Sequence, residues 1–172
     1  MESAWRINSS SSDRISPADA YNLMGGDIGR IISELQEEGE AVIVAGGFVS
    51  FALGLTKEYG DIDVFVHPYS YIKTYKKLSE ANLTLRYHTQ QQQGSDPYPE
   101  REYEVFNVFR NETNTGLQLI ILLKNWVYMI ANTRLEDGVN KPDPSHFART
   151  LMRDFDMQIC RCALYRNSYI QR

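Results

Sequence analysis

Asp61 and Asp63 open the run "DIDVFV", whose other residues are apolar, and Gly46-Gly47 follow the run "AVIVA" one short helical pattern earlier. A buried strand is an expensive place for charge, because an unpaired ionised carboxylate taken out of water costs several kcal/mol or more. The i, i+2 spacing puts both carboxylates on one face at the start of a strand, about 6 to 7 Å apart along the backbone, where they can converge on one divalent cation. A bound Mg2+, or Mn2+ in its place, would remove the penalty and supply an activity together. The Gly46-Gly47 turn lets backbone approach a ligand closely. The helix pattern after it, "FVSFALG" from Phe48, would aim N–H groups and a positive dipole end at an anion such as a triphosphate. Lys57, just before the aspartates, is a lone candidate phosphate partner. Turn and carboxylates would face each other across one cleft.

The elements that must position these residues are readable in outline. Residues 1–15 carry a serine run and little apolar periodicity, so a flexible leader is expected there, with one domain over 16–172. Ser16 as N-cap, Pro17 at the first helical position and Gly39 as a stop bound a helical pattern that Gly25-Gly26 can split in two. "AVIVA" and "DIDVFV" read as strands, and Pro68 opens the helix "PYSYIKTYKKLSEA". "LTLRYHT" is a strand entering the loop "QQQQGSDPYPE", and "EYEVFNVFR", the polar turn "NETNTG" and "LQLIIL" form a hairpin. After "KNWVYMIANTRL" come a loop through Pro142 and Pro144, the helix "SHFARTLMR" and a last strand, "DMQICRCALY". This order predicts an α/β (α+β) single domain built on one mixed β-sheet flanked by helices.

Composition narrows the setting. The chain has 172 residues, room for one compact domain, and a net charge of -4, which argues against broad electrostatic attachment to duplex nucleic acid. Cys160 and Cys162, one residue apart on a strand, point to opposite faces and are expected to stay reduced, in a cytoplasmic or nuclear setting. No apolar run is long enough to span a membrane, so no membrane partner is expected.

Other residue patterns have plainer readings. Lys73, Lys76 and Lys77 share a helical face that could hold a triphosphate or a nucleic-acid backbone, but a solvated face is the simpler account. His67, His88 and His146 lack metal-ligand spacing. Tyr69, Tyr71, Tyr75, Tyr98 and Tyr103 read as packing before they read as a base-stacking platform.

The segment "GGFVSFALGLTKEYGDIDVFV" resembles the signature of the nucleotidyltransferase superfamily, the DNA polymerase beta-like fold: a glycine turn, a short helix and an Asp-x-Asp strand. The resemblance implies that Asp61 and Asp63 bind Mg2+ and that the Gly46-Gly47 turn holds the phosphates of an NTP. It also implies transfer of a nucleoside monophosphate to an acceptor, which could be nucleic acid, protein or small molecule. Members of this superfamily place a third carboxylate on a later strand. Here that strand is expected to be "LQLIIL", whose only polar residue is Gln118. Glutamine can bind a metal weakly through its carbonyl or hold a metal-bound water, but it cannot take a proton. Asp156 and Glu104 are the candidates for a replacement, Asp156 the better one. Ser50 and Phe51 stand where tRNA nucleotidyltransferases carry an Arg-Asp pair, which argues against addition of tRNA ends. The alternative function is a catalytically degenerate binding or regulatory module. With no helical domain expected after the last strand, a partner protein or a homo-oligomer would complete the site.

Overall fold

A computed structural model of the chain describes residues 13–88, 103–122, 143–154 and 161–171. The first helical pattern is two helices, α1 (Pro17–Leu23) and α2 (Ile28–Glu37). They part at Gly25 and Gly26, whose φ values of 98° and 47° no continuing helix can accommodate. Ser16 caps α1 by accepting from the Asp19 N–H at 3.1 Å, with Pro17 in the first turn. Then follow β1 (Val42–Ala45), α3 (Gly47–Ala52), β2 (Ile62–Val66), α4 (Pro68–Glu80) and β3 (Leu83–Tyr87). After them come β4 (Tyr103–Arg110), β5 (Thr113–Leu122), α5 (Pro144–Asp154), β6 (Cys162–Tyr165) and β7 (Ser168–Gln171). Of the expected leader, Asp13–Ile15 are described. Ile15 packs on the core and donates its N–H to the Ala52 carbonyl at 2.9 Å.

The strands form one seven-stranded sheet in the order β3-β4-β5-β2-β1-β6-β7. Only β2 and β5 run parallel; the other five pairs are antiparallel, which makes the sheet mixed as its element order predicts. Alternation along the strands sorts side chains to two faces. Val42, Val44, Ile62, Val64, Val66, Leu117 and Leu119 pack with Ile32, Leu35 and Phe48 of α2 and α3. Ile43, Ala45, Phe65, Ile120, Ala163 and Tyr165 form a second core with Phe147, Ala148, Leu151 and Met152 of α5.

Two element boundaries differ from the sequence reading. The expected turn "NETNTG" is much tighter, since β4 and β5 pair as far as Arg110 and Thr113, leaving Asn111 and Glu112 to turn the chain. Asn111 takes φ 55°, a conformation asparagine tolerates better than most residues. The strand expected over "DMQICRCALY" is described from Cys162, and a further strand, β7, follows it. Its turn is made by Arg166 and Asn167 at φ 49° and 61°, without glycine, which is why composition did not signal it.

The β6–β7 turn is fastened by a buried amide. Gln36 of α2, fully buried, donates to the carbonyls of Val42 at 2.9 Å and Leu164 at 3.0 Å. Its Oε1 accepts from the Arg166 N–H at 2.9 Å and from the Tyr21 hydroxyl, which in turn accepts from the Asn167 N–H at 3.2 Å. Burial pushes the Tyr21 hydroxyl up to about 12.

Candidate functional site

The site lies where β1 ends, at the C-terminal side of Ala45. There Gly46 takes φ 90° and ψ −153°, a region open essentially only to glycine, and turns the chain into α3. The N–H groups of Val49 and Ser50 both reach the Gly46 carbonyl, at 3.1 Å each. Those of Gly47 and Phe48, in the first turn, have no acceptor within the helix. Ala45 is paired across the ladder with Asp63, so the turn is set against that carboxylate: a Cβ on Gly46 would stand 3.2 Å from Asp63 Oδ2.

Asp61 precedes β2 and is exposed, whereas Asp63 is the half-buried second residue of the strand. Burial first, and the Asp61 charge second, push the Asp63 carboxyl up to about 6. A carboxyl held that high has too little solvation for its charge. The donor set suits a hard divalent ion. Among the described residues no group of three or more His, Cys, Asp or Glu is placed to hold a metal, so oxygens of water or substrate would complete the shell, as Mg2+ prefers.

Gln118 stands beside this pair. It is the Cα partner of Asp63 on parallel strand β5, the strand on which the resemblance leads one to expect a third carboxylate. Asn107 on β4 is in turn the partner of Gln118, and Arg86 on β3 that of Asn107. Asp63, Gln118, Asn107 and Arg86 thus form one polar row across four adjacent strands. Gln118 Nε2 donates to Asn107 Oδ1 at 3.1 Å and lies 3.4 Å from His88 Nδ1, which is 3.3 Å from Asn107 Nδ2. Sequence reasoning named Gln118 and left His88 without a role. It missed Asn107, whose one signal was an uncharged polar residue inside the apolar alternation of "EYEVFNVFR".

Other expected site residues lie elsewhere. Phe48, expected at the phosphate-binding turn, has its side chain fully buried in the core against Tyr59, with ring centroids 4.9 Å apart, leaving only its backbone N–H to serve a ligand. Lys57 is exposed on the segment between α3 and β2. Glu104 accepts from the Tyr87 hydroxyl at 3.0 Å and, by alternation from Val105, faces the opposite side of the sheet from Asp63. It cannot act as the third carboxylate. Asp156, Tyr98 and Cys160 lie outside the described residues. Lys73 and Lys77 are engaged by Glu38 at 3.4 and 2.9 Å, on the α2 side of the sheet. His67 caps α4, its Nδ1 accepting from the Tyr69 N–H at 3.0 Å, and burial pushes it down to about 4.

Residues 25–106 match the model of a family described as "Nucleotidyl transferase of unknown function (DUF2204)". Over that segment, just under half of its length, the chain is similar to this family. The matched segment runs from the α1–α2 break into β4 and contains Gly46, Gly47, Asp61 and Asp63, but it stops one residue before Asn107 and leaves Gln118 outside. Among curated proteins nothing matches. Two solved structures of Cid1 match part of the chain. One, in complex with the UTP analog UMPNPP, is 13% identical over 66% of this chain and 31% of its own, with a TM-score of 0.34. The other, titled for the Cid1 poly(U) polymerase, is 14% identical over 68% and 34%, with a TM-score of 0.31. The chain spans about a third of the length of these structures. No helix among the described residues is long and apolar enough to cross a membrane.

Proposed function

We propose that this nucleotidyltransferase-like chain binds a nucleoside triphosphate together with Mg2+ or Mn2+ and transfers the nucleoside monophosphate to an acceptor hydroxyl. The observation that carries this reading is the apposition of the Gly46 turn and Asp63, 3.2 Å from a would-be Cβ to Oδ2, with Asp61 two residues away. Asp61 and Asp63 would hold the cation, which when bound neutralises polyphosphate charge and polarises the reacting phosphorus. The Gly46-Gly47 turn and the first N–H groups of α3 would receive the phosphates. The acceptor oxygen forms its bond to the α-phosphorus as the bond to the pyrophosphate oxygen breaks in line. Gln118 cannot take the hydroxyl proton, which passes to solvent. Forgoing a positioned base costs about 10² to 10⁴ in rate, so a slow enzyme is expected.

The same glutamine supports a second reading, a binding or regulatory module that retains nucleotide and cation but does no chemistry. Incubation with Mg2+ or Mn2+ and each labelled NTP, beside an Asp61→Ala/Asp63→Ala variant, separates the two. Label transfer or pyrophosphate release that disappears in the variant supports the enzyme. Nucleotide-dependent thermal stabilisation without turnover supports the module, and neither response removes both.

A further inference from the structure

The Gln118 amide is not free to present either end to Asp63. Its Nε2 is turned toward β4 and β3, 3.1 Å from Asn107 Oδ1 and 3.4 Å from His88 Nδ1. An amide group has both N–H donors on one atom and its acceptor on the other. With the nitrogen engaged on the β4 side, Oε1 is the end of the amide left for the β2 side, where the register partner of Gln118 is Asp63. Asn107 holds this arrangement from two directions, since its own Nδ2 lies 3.3 Å from the same His88 nitrogen. Neither Asn107 nor His88 needs this geometry for strand pairing, which is a backbone matter. The three side chains form a network whose consequence is the orientation of one oxygen.

We propose that Gln118 supplies the third oxygen of the cation site through its carbonyl, and that Asn107 and His88 are positioning residues that fix that carbonyl toward Asp63. This rests on the proposed cation site, and it goes further by assigning roles to Asn107, which lies outside the family match, and to His88, which lies within it. A neutral oxygen in place of a carboxylate leaves the site with one negative charge fewer and so with weaker hold on a divalent ion. Outer partners that orient a metal ligand typically contribute about 10- to 100-fold to affinity. Asn107→Ala and His88→Ala should therefore weaken the ion although neither touches it. Gln118→Glu should tighten it by restoring a charged oxygen at the same place.

The test is a Mn2+ titration of the full chain, with free ion counted by electron paramagnetic resonance and folding checked by circular dichroism. It needs no catalytic turnover. Expected are Asp63-dependent binding in the wild type, roughly tenfold or greater weakening in Asn107→Ala and His88→Ala, and tighter binding in Gln118→Glu. Should the wild type bind Mn2+ through Asp63 while all three variants bind as it does, Gln118 does not face the ion and the proposal fails although the cation site survives. Absence of Asp63-dependent binding in the wild type would overturn the cation site and this proposal with it. If Asn107→Ala or His88→Ala loses its fold, Gln118→Glu alone decides: tighter binding upholds the assignment, unchanged or weaker binding overturns it.

Discussion

Gly46 and Asp63 are neighbours of a kind that only a glycine permits: a methyl group on residue 46 would stand 3.2 Å from the Asp63 Oδ2 oxygen. The contact arises because Ala45 and Asp63 are ladder partners, so the turn that leaves β1 begins directly beside the carboxylate. Two penalties coincide there. The backbone at φ 90° and ψ −153° is open to glycine and strained for an L-residue, at about 1 to 3 kcal/mol, and the new methyl must also displace the carboxylate. Gly46→Ala is expected to lower stability by that order and to weaken nucleotide binding further than the loss of stability explains. Chemical denaturation and a nucleotide titration on the same preparation check both effects.

A raised Asp63 carboxyl makes stability depend on pH in the less usual direction. Its ordinary value is 3.8 and burial carries it to about 6, so between those values the folded chain binds more protons than the unfolded one. Its stabilising contribution is complete below the unfolded value and is lost as pH rises through the folded one. Asp63→Asn cannot ionise. Relative to wild type it should be more stable at pH 7, by on the order of 1 to 3 kcal/mol, and nearly equal at pH 4. Urea denaturation at the two pH values measures the difference. Millimolar Mg2+ should shrink the gap at pH 7 by stabilising the ionised wild type alone, and equal stabilities at both pH values without the ion would show that Asp63 is fully solvated.

Gln36 concentrates four hydrogen bonds that no apolar residue can replace, two donated and two accepted, at a fully buried position. Gln36→Leu would leave the carbonyls of Val42 and Leu164, the Arg166 N–H and the Tyr21 hydroxyl short of partners. Each buried polar group left unsatisfied costs about 1 to 3 kcal/mol, so a total loss of about 3 kcal/mol or more is expected. Tyr21→Phe removes one shared partner and should cost less. Because the lost contacts run to the β6–β7 turn, amides at Arg166 and Asn167 should exchange with solvent sooner than those of β1, a local signature that hydrogen exchange resolves.

What the sequence made legible follows from which signals are local. The glycine turn, the Asp-x-Asp strand and the Ser16-Pro17 helix start are each written within a few residues, and the structure has a turn at Gly46, a strand that holds Asp63 and begins just after Asp61, and a helix capped by Ser16. The mixed sheet was legible from element order alone. Register was not. That Gln118 stands beside Asp63, and Asn107 beside Gln118, depends on how a parallel pair and a hairpin with a register shift align, and a one-residue slip would turn every side chain to the other face. The same alternation decides the fate of Glu104, whose residue type qualified it for the site and whose parity on β4 sends it to Tyr87. Strand β7 was missed because its turn is built from arginine and asparagine at positive φ, where composition gives no punctuation.

The lysines of α4 offer the cleanest separation between charge that attracts a ligand and charge that closes a surface. Lys73 lies 3.4 Å from carboxylate oxygens of both Glu38 and Glu40, and Lys77 lies 2.9 Å from Glu38 and 3.6 Å from Glu34. These pairs join α4 to α2 and to the approach to β1. The Glu38 carboxyl is lowered, chiefly by its hydrogen bond from Lys77, and both ammonium groups are raised, each chiefly by its hydrogen bond to Glu38. All of this lies on the face of the sheet that packs on α2, whereas Asp63 faces the other side with Ala45 and Phe65. A polyphosphate held at the Gly46 turn would gain nothing from these ammonium groups. Lys73→Ala/Lys77→Ala should leave nucleotide affinity at the wild-type value at both low and moderate ionic strength; the exposed pairs contribute little, and the stability lost should come chiefly from Glu40, whose buried carboxylate loses its Lys73 partner. Isothermal titration with Mn2+ and a non-hydrolysable NTP at two salt concentrations reads this directly. A clear loss of affinity that grows as salt falls would mean that the triphosphate runs over α4, and the site would have to be redrawn on that face of the sheet.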